Sequence, residues 1–150
     1  AMGTQDIHWD EAAVMAGKKF ANKLWNISRF VLLQIGNPKS YILNHKSLNA
    51  EDKEILEKLE RIKKEVGKDI KNYNLGPALH KIYDFVWHEF ADKYIELSKA
   101  RTDEHAKMVL GHTLVEILKL LHPFMPFITV ALYQQLPAKH DGNLLIITQW

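Results

Sequence analysis

All five prolines of this chain fall where an otherwise continuous helical pattern breaks. From Asp10 to about Leu136, apolar residues return every three or four positions, the spacing of one face of an α-helix. The first helix is expected to open with Asp10 as cap and Glu11 in its first turn. Its core stripe reads Ala13, Gly17, Phe20, Leu24, Ile27, Val31 and Ile35, and Gly36-Asn37-Pro38 ends it. After a loop through Ser47, a second helix is expected from Asn49, with Glu51 and Asp52 favouring its positive end. Its buried edge reads Ile55, Leu59, Ile62, Val66, Ile70 and Tyr73. The mixed charges between them (Glu54, Lys58, Arg61, Lys64, Glu65, Lys68) read as a solvated face. Asn74-Leu75-Gly76-Pro77 makes the next break, with proline suited to a first helical turn. A third helix then runs to about Lys99 over Leu79, Ile82, Tyr83, Val86, Phe90, Tyr94 and Leu97. Thr102 is expected to cap a fourth, which is apolar on more than one side and therefore central. Proline at 123 and 126 interrupts it, because proline removes a donor and clashes with the preceding turn. A fifth helix restarts at Pro126, and Leu144-Leu145-Ile146-Ile147 reads as a short C-terminal extended segment. Long helices with short connections predict an all-α, up-and-down bundle of about five helices.

The 150 residues suit one domain, with residues 9–137 as the bundle, 1–8 as an entry segment and 138–150 as the start of whatever follows. Ala1 and Met2 are compatible with a cloning remnant. The apolar runs are far shorter than the roughly 20 residues that cross a bilayer, and the N-terminus lacks a basic segment followed by an apolar one. Neither a membrane nor a signal peptide is expected. Cysteine is absent, which removes disulfides and thiolate metal ligands and fits a cytoplasmic protein. A net charge of only +2 means that any nucleic-acid contact must rest on a local face.

The first helix offers such a face. Turning it by about 100° per residue places Lys19, Asn22, Lys23, Asn26, Arg29, Phe30 and Leu33 opposite the core stripe. Lysine and arginine meet phosphates, asparagine amides donate to and accept from base edges, and an exposed ring stacks on an unpaired base. The competing reading is a second core stripe, with Phe30 and Leu33 beneath another helix. A third is a protein-docking patch built on the same two residues. Trp25 and Trp87 lie at the flanks of their stripes and read as packing residues.

Other chemistry finds little footing. His80, Asp84, His88 and Asp92 recur every four residues, but such a row drifts by about 40° per step and does not converge on a metal. Gly17-Lys18-Lys19 lacks the upstream glycine and following Ser/Thr of a phosphate loop. The serines lack a nucleophile-elbow context, and Glu51-Asp52 sits at a helix start. No catalytic, metal or cofactor site is expected in this chain.

Three stretches carry a resemblance. Gly17-Lys18-Lys19-Phe20-Ala21-Asn22-Lys23-Leu24-Trp25-Asn26-Ile27-Ser28-Arg29-Phe30-Val31-Leu32 resembles the opening helix of the valyl-tRNA synthetase anticodon-binding domain. Tyr83-Asp84-Phe85-Val86-Trp87-His88-Glu89-Phe90-Ala91-Asp92-Lys93-Tyr94-Ile95-Glu96-Leu97-Ser98-Lys99 resembles its middle helix. Leu121-His122-Pro123-Phe124-Met125-Pro126-Phe127-Ile128-Thr129 is a signature shared with isoleucyl and leucyl relatives, so it marks only the superfamily. Thr4-Gln5-Asp6-Ile7 is similar to the junction leaving the catalytic domain. The chain departs from the pattern at Lys93, where tryptophan is common, and at Val130, Ala131 and Tyr133.

The resemblance implies a class Ia anticodon-binding bundle whose partner is the anticodon loop of valine tRNA, chiefly its middle adenine and third cytosine. An isoleucyl-type domain is the nearest alternative. Asn26 and Arg29 are the best-matched anticodon-side positions, with Lys19, Asn22, Lys23 and Phe30 as neighbours. It further implies a parent ligase that joins valine to tRNA using ATP with magnesium, through a catalytic domain in the same chain. The His-Ile-Gly-His and Lys-Met-Ser-Lys-Ser signatures of that chemistry do not occur here. No DNA or membrane partner is implied.

Overall fold

In the computed structural model, residues 11–36 and 48–137 are described. They form five helical rods: α1 (Glu11–Ile35), α2 (Ala50–Lys71), α3 (residues 75–98), α4 (Glu104–Leu121) and α5 (Pro126–Tyr133). The expected cap at Asp10, the loop through Ser47 and the extended segment at 144–147 lie outside the described residues.

Local chemistry explains the helix ends. The Asn49 amide oxygen accepts from the Asp52 N–H at 2.8 Å and caps α2. Gly36, at φ +61°, ends α1 in the left-handed conformation that glycine tolerates best. The α2 end uses the same geometry with a residue less suited to it. Tyr73 N–H donates to Ile70 and Asn74 N–H to Asp69, a Schellman arrangement with Tyr73 at φ +59°. The fourth helix is capped by Asp103, not by Thr102. The Asp103 carboxylate accepts from Ala106 N–H at 3.0 Å and is held by Arg101 at 3.0 and 3.1 Å. A carboxylate in that setting is the stronger cap.

Hydrogen bonds and ion pairs between helices give the bundle its order. Asp52–Tyr94, Lys58–Glu89 and Asp69–Lys81 run in opposite senses along α2 and α3, so these two are antiparallel. Asp52–Arg101 and Lys63–Glu116 advance together, so α2 and the α4 side run the same way. α1 packs on α4 and α3, with α5 closing against α4. Phe20, Phe90, Leu59, Ile82, Leu114, Ile117 and Leu121 fill the space between the rods. α4 is the central rod, with buried residues around most of its circumference.

Four expected core positions lie outside that core. Ala13 and Gly17 are exposed, because burial along α1 begins only at Phe20. Tyr73 is 90% exposed beyond the end of α2, and Leu97 is 53% exposed. The cause of the last is a change of winding. α3 is α-helical over Leu75–Asp84, π-helical over Phe85–Ile95, and α-helical again over Glu96–Ser98. Wider turns bury Phe85/Val86, Phe90/Ala91 and Tyr94/Ile95, a spacing of four to five, and turn Leu97 outward.

Buried Asp52 ties three elements together. Its side chain is fully buried and accepts from Tyr94 Oη at 2.6 Å and from Arg101 at 2.6 and 3.0 Å. Burial pushes its carboxyl up, but the Arg101 and Tyr94 hydrogen bonds, the Arg101 charge and the Asn49 cap together hold it below the usual range. A depressed native value means that this stabilisation is present above the unfolded carboxyl value of about 3.9 and is lost as pH falls through the lower native one.

Two outcomes are expected. Arg101→Ala strands a buried charge and lowers stability by about 3–5 kcal/mol, read by urea melts at neutral pH, with a smaller deficit in strong acid. Tyr73→Gly relieves a left-handed tyrosine that buries almost nothing. Its melting point rises by an amount equivalent to about 1 kcal/mol.

Candidate nucleic-acid interface

Half of α1 is committed to packing and half is open. Phe20, Leu24, Ile27, Ser28, Val31 and Ile35 are buried, whereas Lys19, Asn22, Asn26, Arg29 and Leu33 are exposed. Leu33 is 79% exposed, so the second-core reading fails at that position. Lys23 and Phe30 sit at the edge of the open face, each partly covered from the α3 side. The six sequence-selected residues therefore share one flank of one rod. They span Lys19 to Phe30, about 16 Å at 1.5 Å per residue.

Their electrostatic roles differ. Lys23 forms an ion pair with Asp92 at 3.3 Å and lies 5.2 Å from the centroid of the Trp87 ring. It is positioned, but part of its charge is already balanced. Lys19 and Arg29 make no ion pair with any described residue, and neither do the nearby exposed Lys18 and the amides of Asn22 and Asn26. These groups are available to an anion and to hydrogen-bonding edges.

Phe30 is half-buried, packed against the core on one side, with the Lys99 ammonium 5.8 Å from its centroid. Lys99 is held in turn by Glu96 at 2.7 Å. This cation was not among the residues selected from sequence. The spacing within one helix cannot show that the far end of another helix arrives beside Phe30. Trp87, expected to pack, is half-buried and stacked parallel to Tyr83. Trp25, also expected to pack, is 39% exposed on another side of α1.

An aromatic row runs outward from the core along the α1–α3 seam. Phe20 stacks on Tyr83 with centroids 3.8 Å apart, and Tyr83 lies 6.1 Å from Trp87 at 8°. The Tyr83 hydroxyl donates to the Ala16 carbonyl at 2.7 Å, and burial pushes its ionisation up, so it stays a neutral donor. With Lys23–Asp92 and Phe30–Lys99, these contacts advance together along α1 and the α3 side, which makes the two rods parallel neighbours.

The histidine row does not assemble. His80 lies 3.3 Å from Asp84 and His88 3.7 Å from Asp92, as separate pairs on exposed surface. Among the described residues, no three metal-ligating side chains come together.

Residues 52–150 match the family model for the anticodon-binding domain of tRNA ligase. The chain belongs to this family of anticodon-binding domains. The family match starts within α2, and α1 is covered by individual relatives instead. The chain is 41% identical over 152 residues to a valine–tRNA ligase of Petrotoga mobilis, and 40% identical over 149 residues to one of Pseudothermotoga lettingae. A valine–tRNA ligase of Thermotoga maritima is 40% identical over 150 residues. Each alignment covers 97% of this chain and 17% of the relative, so the chain spans about one sixth of those proteins. No helix among the described residues is long and apolar enough to cross a membrane.

Asp92 is an acidic group set into this flank beside Lys23. Asp92→Asn is expected to change stability by less than about 0.5 kcal/mol, because the Lys23 pair is surface-exposed. The same change frees Lys23 and strengthens retention on a polyanion column. A clear drop in melting temperature would mark the pair as structural.

Proposed function

We propose that this domain reads the anticodon loop of valine tRNA through the open flank of α1. The supporting observation is the exposure of Lys19, Asn22, Asn26 and Arg29 in a single row beside a half-buried Phe30, on a chain of this family. In this reading Lys19, Lys23, Arg29 and Lys99 meet backbone phosphates and set register. Asn22 and Asn26 hydrogen-bond base edges, and Phe30 supplies a stacking surface fixed in place by the core beneath it. The middle adenine and third cytosine of the anticodon are the bases proposed to be read. The similarity to valine–tRNA ligases favours valine over isoleucine specificity.

The domain's contribution is positioning. It acts within a longer cytoplasmic ligase whose catalytic domain joins valine to the acceptor end of the same tRNA. ATP and magnesium belong to that catalytic part, and no residue of this chain is assigned to them. Binding the loop at one end holds the acceptor at the other, so the fragment alone contributes affinity and discrimination without chemistry.

Titration of the 150-residue chain with an RNA hairpin carrying a valine anticodon loop tests this. Affinity is expected to fall steeply with salt, because bound phosphates release counterions. Arg29→Ala and Asn26→Ala should each weaken binding about five- to a hundredfold while the circular dichroism melt is unchanged. A hairpin with an isoleucine anticodon should bind less tightly. Wild-type binding that neither variant affects would remove the site assignment. A salt-insensitive protein partner lost on Leu33→Ala would favour docking through that exposed leucine instead.

A further inference from the structure

The α1–α3 seam opens into a cleft of about 260 Å3 lined by Ala16, Lys19, Tyr83, Trp87 and His88. Its wall is the outer end of the aromatic row. A row needed only for packing would end under cover, but here Trp87 stays half-buried and borders open space. Tyr83 spends its hydroxyl on Ala16, which leaves the lining mostly apolar. Around that apolar slot stand cations. Lys19 lines it, and Lys23, paired with Asp92, lies 5.2 Å from the Trp87 centroid.

A flat apolar slot with cations at its rim matches one kind of occupant: a planar uncharged ring attached to a phosphate chain. An aliphatic side chain would gain nothing from the lysines, and a free anion would gain nothing from the ring surface. We infer that the cleft takes one unpaired RNA base, stacked against Trp87, in addition to the bases that meet Asn26, Arg29 and Phe30. This rests on the RNA reading of α1. Lys19 and Phe30 are about 16 Å apart along the helix axis, a span that a few unstacked nucleotides bridge, so one loop can engage both. Among the described residues that line the slot, Lys19 makes no ion pair and His88 lies 3.7 Å from Asp92. Recognition there is by stacking area, which tolerates any base and favours a purine over a pyrimidine.

The test uses the whole chain and the same hairpin, with a fluorescent purine analogue placed at one loop position at a time. One position outside the anticodon contacts is expected to be quenched on binding, and the quenching is expected to disappear in Trp87→Leu. An abasic site at that position should weaken binding roughly five- to a hundredfold, and His88→Ala, on exposed surface, should weaken it by a few-fold. Should Trp87→Leu fail to fold, the Trp87 indole resonance of the unaltered chain gives the same answer by shifting with RNA. A hairpin that binds, weakens on Arg29→Ala, and shows no quenched position and no Trp87 shift overturns the cleft assignment alone. Absence of any wild-type binding overturns both it and the reading on which it rests. A Trp87 resonance that responds only to removal of residues 1–10 would assign the cleft to the chain itself and overturn the inference.

Discussion

A carboxylate cannot be buried unpaired, and Asp52 is buried completely. Its hydrogen bonds must therefore arrive from elsewhere in the chain, and they come from Tyr94 on α3 and Arg101 at the α3–α4 corner. Three elements distant in sequence thus meet within hydrogen-bond range at one end of the bundle. Arg101 stands two residues beyond Lys99, so the geometry that satisfies Asp52 also fixes where Lys99 emerges. The cation over Phe30 depends on an interaction that touches neither residue. Asp103, shared between Arg101 and the start of α4, extends the same constraint into the central rod.

The open face of α1 is a by-product of how few neighbours that helix has. α3, α4 and α5 cover one half of its circumference, and no described element covers the other. Rigid packing below and open surface above is what a recognition element requires, since groups locked on a helix lose little freedom on binding. Phe30 shows this directly. Its ring packs on the core and has the Lys99 ammonium 5.8 Å from its centroid, so its position is fixed by the fold.

Charge is arranged locally. The chain as a whole is nearly neutral, and about half of the described cations are neutralised by partners, as Lys58 is by Glu54 and Glu89, or Lys81 by Asp69. Burying Glu116 between Lys63 and Lys119 uses two more. Lys19 and Arg29 share their lack of an ion pair to a described residue with Lys18, Lys53, Arg61, Lys64, Lys68 and Lys71; what sets the two apart is their place beside Asn22, Asn26 and Phe30 on the open face of α1. A bulk charge cannot distinguish paired from unpaired lysines, and it is the unpaired ones that a polyanion can use.

Periodicity alone determined the number of rods, their breaks at proline and glycine, the centrality of α4 and the arc of α1 that faces away from its core. These are properties of one helix at a time, set by an angle of about 100° per residue. What lay beyond that reach required neighbours. Ala13 and Gly17 fall on the apolar side but are exposed, because periodicity gives the direction of burial and not how far a partner extends. Leu97 turns outward because π winding changes the angle itself, which no spacing rule anticipates. Lys99 beside Phe30, and the cleft at Trp87, exist only because α1 and α3 lie parallel in a particular register. That register is set by long-range contacts such as Tyr83 to Ala16, between residues 67 positions apart.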